Sequence, residues 1–135
     1  MYVAETQVRV RYAETDQMGY AYYGNYATYY EVGRVEALRQ LGFQYKEMEE
    51  NGIMMPVTDL KCKFLKPARY DELITIRVII KALPSVRMYF YYEVLDADGN
   101  KLNEGETTLV FVNMSSNRPC KAPEYLLEKL SPYFE

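Results

Sequence analysis

The segment from Asn25 to Leu41, NYATYYEVGRVEALRQL, constrains the fold more than any other. Tyr26, Tyr29, Tyr30, Gly33 and Ala37 recur at the spacing of one helix face, and Val35, Leu38 and Leu41 widen that face. Asn25, or the glycine before it, is expected near the helix cap, and Gly42 stands where a left-handed residue ends a helix. A helix with apolar residues on most of its faces must be wrapped by something else to bury itself.

Strands supply the wrapping. TQVRVRY, Thr6 to Tyr12, sets Val8, Val10 and Tyr12 on one side and Arg9 and Arg11 on the other, the period of a half-buried strand. After the helix comes a short polar turn, QYKEMEENG, which ends at Asn51–Gly52. IMMPVTDLKCKFLKP carries Pro56, which suits an edge strand or a bulge, and ends at Pro67. DELITIRVIIKAL alternates Ile74, Ile76, Val78 and Ile80 against Thr75, Arg77 and Lys81. SVRMYFYYEVLD alternates Val86, Met88, Phe90, Tyr92 and Val94 against Arg87, Tyr89, Tyr91 and Glu93. Asp98–Gly99 offers a hairpin turn into KLNEGETTLVFVNM, and a short helix follows Pro123. A strand, a long helix and then four strands joined by short turns define an α+β domain, with an antiparallel sheet around one central helix.

Composition narrows the function. At 135 residues the chain is expected to be one domain, 1–135, that buries roughly two thirds of its unfolded surface. Its net charge of −3 argues against nucleic acid as a partner. MYVAETQVRV has no basic region followed by an apolar run, and no stretch is long and apolar enough to span a bilayer, so a cytoplasmic protein without a membrane partner is expected. Cys62 and Cys120 have no paired spacing and are expected to be free thiols. The chain has no histidine, which removes Ser–His–Asp and Cys–His catalysis, histidine-ligated zinc and His-dependent dehydration. An enzyme built from this chain must work with carboxylates, backbone amides and hydroxyls, and no metal is expected.

RYAETDQMGYAYYGNYATYYEVGRVEALRQLG, then MPVTDLKCKFLKPARYDELITI and SVRMYFYYEVLDADGNKLNEGETTLVFVN, resemble the hotdog-fold acyl-CoA thioesterases of the 4-hydroxybenzoyl-CoA thioesterase type. The likeness runs from about Val8 to Arg118–Pro123, and its most specific part is the aspartate, the glycine-containing turn and YYGNY at the helix start. It implies a sheet curled around the helix, dimers with their sheets side by side that often pair into homotetramers, and an active site at the dimer interface. It also implies that Asp16 is the catalytic carboxylate, that the Tyr23 amide polarises the thioester carbonyl, and that Glu31 is the acidic position on the helix. Many bacterial short-chain relatives carry histidine where Tyr23 stands, and aryl-CoA members carry tyrosine, so the acyl class stays open.

The chemistry of the segment agrees with that role. Thioester hydrolysis needs a site for the developing oxyanion and a group that attacks or deprotonates the attacker. A helix start supplies the first, because its leading N–H groups lack partners within the helix, and Tyr23 and Gly24 fall there. Gly24, lacking a Cβ, is expected to let the chain approach the substrate closely. Asp16 supplies the second function, either by attacking the carbonyl to give a mixed anhydride or by ordering a water as general base. Without the family pattern, an aspartate before a glycine reads as a turn former. Glu14 is the rival carboxylate, read as structural or solvated, and Glu31 either serves the acyl group or pairs with Arg34.

Tyr20 and Tyr22 are candidates to line an acyl pocket, whereas Tyr26, Tyr29 and Tyr30 read as packing. Val57 and Thr58 either complete that pocket or simply pack in their strand. CoA, as part of the substrate rather than a cofactor, brings three phosphates, for which Lys66, Arg69, Lys81, Ser85 and Arg87 are the candidates. The many tyrosines of the strands point to a homo-oligomer, a dimer or a dimer of dimers. Two other functions remain open on sequence alone, hydrolysis of acyl groups on acyl carrier protein and non-catalytic binding of an acyl or CoA ligand.

Overall fold

The computed structural model describes residues 1–134; Glu135, the last residue of the expected domain, lies outside the described residues. In chain order the strands are β1 (Tyr2–Arg9), β2 (Ile53–Met54), β3 (Val57–Phe64), β4 (Leu73–Ile80), β5 (Arg87–Leu95), β6 (Lys101–Val110), β7 (Val112–Asn113) and β8 (Arg118–Pro119). The helices are α1 (Tyr26–Gln40), α2 (Tyr45–Glu50) and α3 (Glu124–Leu130). Five strands make one antiparallel sheet in the order β1-β4-β5-β6-β3, and β2, β7 and β8 make a second, smaller one.

Alternation in β4 and β5 puts Ile74, Ile76, Val78, Ile80, Met88, Phe90, Tyr92 and Val94 on the inner face, all buried. Helix α1 lies on that face and buries Tyr26, Tyr29, Tyr30, Gly33, Ala37 and Leu38. The approach is close at Gly33, where an added Cβ would stand 2.6 Å from Cγ2 of Ile76. The Tyr2 hydroxyl donates to the Ala37 carbonyl at 2.6 Å and ties the far end of the helix to β1.

Several expectations change: the polar turn QYKEMEENG holds helix α2, and KLNEGETTLVFVNM divides into β6 of the large sheet and β7 of the small one. The first strand starts at Tyr2, and its ladder with β4 ends at Arg9 opposite Leu73; Val10 still exchanges backbone bonds with Glu72 and Asp71, where Asp71 takes φ 66° and the partner segment turns away. Tyr12 is therefore not an inward strand residue; it sits in a 3-10 turn, Tyr12–Glu14, and is 79% exposed. The segment around Pro56 is two strands, not one: β2 joins the small sheet with β7, and β3 becomes the edge of the large one with a register shift between Val57 and Asp59. Helix α1 leaves Ala27, Thr28, Glu31 and Val32 exposed on the side away from the sheet.

The turns follow the sequence reading more closely. Gly42 ends α1 with φ 89°, and Gly99 turns β5 into β6 with φ 83°, its turn held by Asp96 Oδ1 accepting from the amides of Asp98 and Asn100. Helix α3 starts directly after Pro123.

Candidate active site

Between β1 and α1 the chain makes a compact hairpin. The Asp16 amide donates to the Tyr20 carbonyl at its mouth, Thr15 bridges to Ala21, and Gly19 takes φ 77° in the turn. Asp16 Oδ1 accepts from the amides of Met18 at 2.9 Å and Tyr20 at 3.2 Å. These are the turn contacts that an aspartate at this place makes, and they occupy one carboxylate oxygen. Among the described residues Oδ2 has no donor. The hairpin is fastened to the segment after β3, since the Ala21 amide donates to the Ala68 carbonyl at 2.7 Å and the Tyr70 amide to the Gly19 carbonyl at 3.2 Å.

The helix start differs from the expected form. Tyr23–Asn25 is a 3-10 turn that runs straight into α1, and Asn25 already has helical dihedrals and makes no side-chain cap bond. Its side chain turns back instead, and Nδ2 donates to the Glu14 carbonyl at 2.8 Å. The amides of Tyr23 and Gly24 have no acceptor among the described residues, as the first N–H groups of a helical turn do not. Gly24 also has a neighbour within the chain. An added Cβ there would meet Cε2 of Tyr22 at 2.7 Å, so the absent side chain makes room for the Tyr22 ring.

A hollow of about 270 Å³ opens beside these groups. Asp16, Tyr20 and Tyr23 line it from the hairpin and helix start, Tyr26 from α1, and Phe64 from the end of β3. Phe64 stands edge-on to both Tyr26 and Tyr23, with centroids 5.3 and 6.4 Å away, so the wall is aromatic on three sides. Burial pushes the Tyr26 hydroxyl above its ordinary pKa, a shift that the Ala68 backbone beside it offsets in part.

Tyr20 lines the hollow and Tyr22 does not; the Tyr22 ring packs on Tyr23 at 4.7 Å over Gly24. Tyr26, read as packing, both packs and lines the hollow. Phe64 and Leu65 had no signal in the sequence except their place at the end of an edge strand. Val57 and Thr58 lie at the opposite end of β3, exposed, with the Thr58 hydroxyl bonded to the Thr108 carbonyl; neither lines the hollow within one chain. Glu31 also lies apart, on the open face of α1 beside Thr28, Val32 and Arg39, and forms no ion pair with Arg34 among the described residues.

The basic candidates divide in the same way. Lys66 lines the hollow, and the Arg69 guanidinium lies over the Tyr20 ring, 4.9 Å from its centroid. Lys81 sits on the outer face of the sheet over Tyr91, Ser85 is tied by backbone bonds to Arg87 and Ala122, and Arg87 is exposed at the start of β5; none of the three lines the hollow.

Glu14 has a structural role. Its carboxylate accepts from the Arg11 amide and guanidinium at 2.9 Å each and from the Tyr29 hydroxyl at 3.0 Å. Burial disfavours its charge, yet these donors outweigh burial and hold its carboxyl below the usual carboxylate range. Both cysteines are free; Cys62 lies at the open edge of the inner face, where its sulfur meets the Tyr30 hydroxyl at 3.3 Å and Asn103 Nδ2 at 3.2 Å. Among the described residues no three His, Cys, Asp or Glu side chains come together as a metal-ligand set, and no helix is long and apolar enough to cross a membrane.

Residues 10–130 match the sequence family described as the thioesterase-like superfamily. A Bacillus subtilis protein with the provisional name acyl-CoA thioesterase YneP is 33% identical over 121 residues, 90% of this chain and 88% of that one. The acyl-CoA thioester hydrolase YbgC of Escherichia coli O6:H1 is 28% identical over 120 residues, 89% of this chain and 90% of its own. The crystal structure of a DHNA-CoA thioesterase from Staphylococcus aureus superposes with a TM-score of 0.89 at 34% identity, over 98% of this chain and 89% of that one.

Proposed function

Because the chain belongs to the thioesterase-like superfamily and has its hotdog fold, we propose that it hydrolyses acyl-CoA thioesters to the free acid and CoA in the cytoplasm. One observation carries the reading. The free Oδ2 of Asp16 and the unpaired amides of Tyr23 and Gly24, as they stand among the described residues, belong to one short segment that borders a single aromatic hollow.

The thioester carbonyl oxygen is taken up by the Tyr23 and Gly24 amides, which face no competing acceptor among the described residues. Aimed donors of this kind are worth about 3 kcal/mol to a transition state. Asp16 acts through Oδ2, while Oδ1 stays fastened to the Met18 and Tyr20 amides. Either Oδ2 bonds to the carbonyl carbon, the C–S bond breaks with its electrons on sulfur, and water cleaves the resulting anhydride, or Oδ2 takes a proton from a water whose oxygen makes that bond. The CoA thiolate leaves without a strong general acid, as a chain lacking histidine requires. Lys66 and Arg69 are placed to meet the phosphates of CoA.

A second copy completes the site. Every residue of β3 but Cys62 is exposed, Val57, Leu60 and Phe64 among them, and β3 is one edge of the large sheet. Antiparallel pairing of two such edges sets the Val57–Thr58 end of one chain beside the Phe64–Pro67 end of the other. Val57 and Thr58 thereby enter the pocket from the neighbouring chain. Two dimers then form the homotetramer.

The test is a thiol-release assay on purified protein with short, long and aryl acyl-CoAs, and with the same acyl groups on acyl carrier protein. The expected result is turnover of CoA esters that falls at least about a hundredfold in Asp16→Asn. Undiminished turnover in that variant removes Asp16 from the mechanism. Binding of CoA esters without cleavage makes the chain a ligand-binding module instead.

A further inference from the structure

The Glu14 carbonyl oxygen accepts two bonds, from the Tyr22 amide at 2.8 Å and from Asn25 Nδ2 at 2.8 Å. Tyr22 and Asn25 flank the two amides without acceptors, those of Tyr23 and Gly24, and the Asn25 amide donates in turn to the Tyr22 carbonyl at 2.9 Å. The short arc that carries both free donors is therefore closed at each end on one oxygen. That oxygen belongs to a residue two positions from Asp16.

Glu14 is itself held from three directions. Its carboxylate accepts from the Arg11 amide, the Arg11 guanidinium and the Tyr29 hydroxyl, and Tyr29 is a buried residue of the first turns of α1. The carbonyl thus has a fixed position relative both to the helix and to the hairpin on which Asp16 sits. Asn25 is half-buried, and its side-chain Nδ2 is spent on this contact rather than on capping the helix.

We infer that Asn25 is a positioning residue: through the Glu14 carbonyl it aims the Tyr23 and Gly24 amides at the reacting carbonyl and fixes their distance from Asp16. The inference rests on the hydrolase reading above. It assigns Asn25 no contact with substrate. The loss of its donor lets the arc between Tyr22 and Asn25 turn, and a small error in aim weakens donors that act only on the transition state. Ground-state binding in the aromatic hollow changes little, because Tyr20, Tyr26 and Phe64 of its wall lie outside the arc.

The comparison uses the full chain as wild type, Asn25→Ala and Asn25→Asp, with kcat and KM measured on one acyl-CoA that the wild type cleaves and thermal midpoints measured alongside. Asn25→Ala leaves a gap that water can fill, and kcat falls about tenfold. Asn25→Asp sets a carboxylate against the Glu14 carbonyl, and kcat falls about a hundredfold or more. In both, KM stays within about twofold and the pH profile keeps its shape. A purely structural Asn25 gives the opposite pattern, a lowered thermal midpoint with wild-type kcat in the folded fraction, and overturns the inference. Should Asn25→Ala fail to fold, Asn25→Ser, which keeps a donor at smaller size, decides by the same split of kcat from KM. A wild type that releases no thiol from any ester removes the hydrolase reading and this inference with it; an active wild type matched by every Asn25 variant removes the inference alone.

Discussion

The ring of Tyr30 occupies the space that a side chain at Gly105 would need. A Cβ on Gly105 would also stand 2.6 Å from the Lys61 carbonyl oxygen, a backbone atom of the neighbouring strand that cannot swing aside. Tyr30 is fixed there because its ring stacks on Tyr92 with centroids 4.2 Å apart and its hydroxyl donates to the buried Asn103.

Gly105→Ala is therefore destabilising, although alanine in place of glycine within a strand ordinarily helps. Overpacking of this kind costs about 1–3 kcal/mol. Urea unfolding of Gly105→Ala, Tyr30→Phe and the double variant checks it. The double variant loses less than the sum of the two, because removal of the hydroxyl gives the methyl part of its space. A Gly105→Ala protein as stable as wild type contradicts the packing described here.

Asp16 combines a turn contact with the proposed chemistry, and two substitutions separate them. The carboxamide of Asp16→Asn keeps an oxygen for the Met18 and Tyr20 amides, so this variant retains the wild-type thermal midpoint while turnover is lost. Asp16→Ala loses both, with a stability decrease of about 1 kcal/mol, the usual worth of a side-chain acceptor that satisfies such amides. Melting curves and thiol release on the same samples suffice. A large loss of stability in Asp16→Asn would mean that the charge, rather than the oxygen, holds the hairpin.

The main sheet was legible in the sequence because its strands alternate strictly; Ile74 to Ile80 and Met88 to Val94 carry their inward face in their spacing. The helix was legible for the same reason, through Tyr26, Tyr29, Tyr30, Gly33 and Ala37. The end of β1 was not, because it is set by the turn at Asp71–Glu72, far along the chain, and Tyr12 continues the alternation past Val10, the last residue bonded to that turn. Asp16 and Tyr23 stood out only through the family resemblance, as either is ordinary in a turn. Asn25 looked like a cap by its type and place; that it reaches back to Glu14 depends on how the hairpin folds against the helix, which no local pattern records. Phe64 joins the hollow through a long-range approach of β3 to α1 and had no signature of its own.

Glu14 makes part of the stability dependent on pH. Its folded carboxyl is held below the ordinary value of 4.5, since the donors from Arg11 and Tyr29 outweigh the burial that opposes them. The sign follows from linkage. A depressed carboxylate stabilises the fold fully above its unfolded pKa, and that contribution fades as pH falls through the lower, folded value. Glu14→Gln removes it, so the gap between wild type and variant is widest near neutral pH and narrows below about pH 4.5. Urea midpoints at about pH 7, 5 and 3.5 measure the gap. A difference constant over that range would show that Glu14 acts by shape alone.

The edge strand gives the last prediction. Leu60 is 47% exposed in the middle of β3, on the side of the strand that also carries Cys62 and Phe64, and the strand's outer hydrogen-bonding groups face no partner among the described residues. If two copies pair there, Leu60 lies close to the two-fold axis and meets its own symmetry mate or that mate's neighbours. Leu60→Asp then brings two like charges together in each dimer, a repulsion that also has to be desolvated. The single chain, whose core does not include Leu60, keeps its fold. Sedimentation equilibrium should show the wild type as a dimer or a multiple of it and Leu60→Asp shifted to the monomer, with the circular dichroism spectrum unchanged. Turnover falls in proportion to the dimer lost, because a monomer has no second chain to bring Val57 and Thr58 to the Phe64 end of the hollow. Dilution of the wild type below its dissociation constant must produce the same loss, and a Leu60→Asp monomer with full activity would place the whole site within one chain.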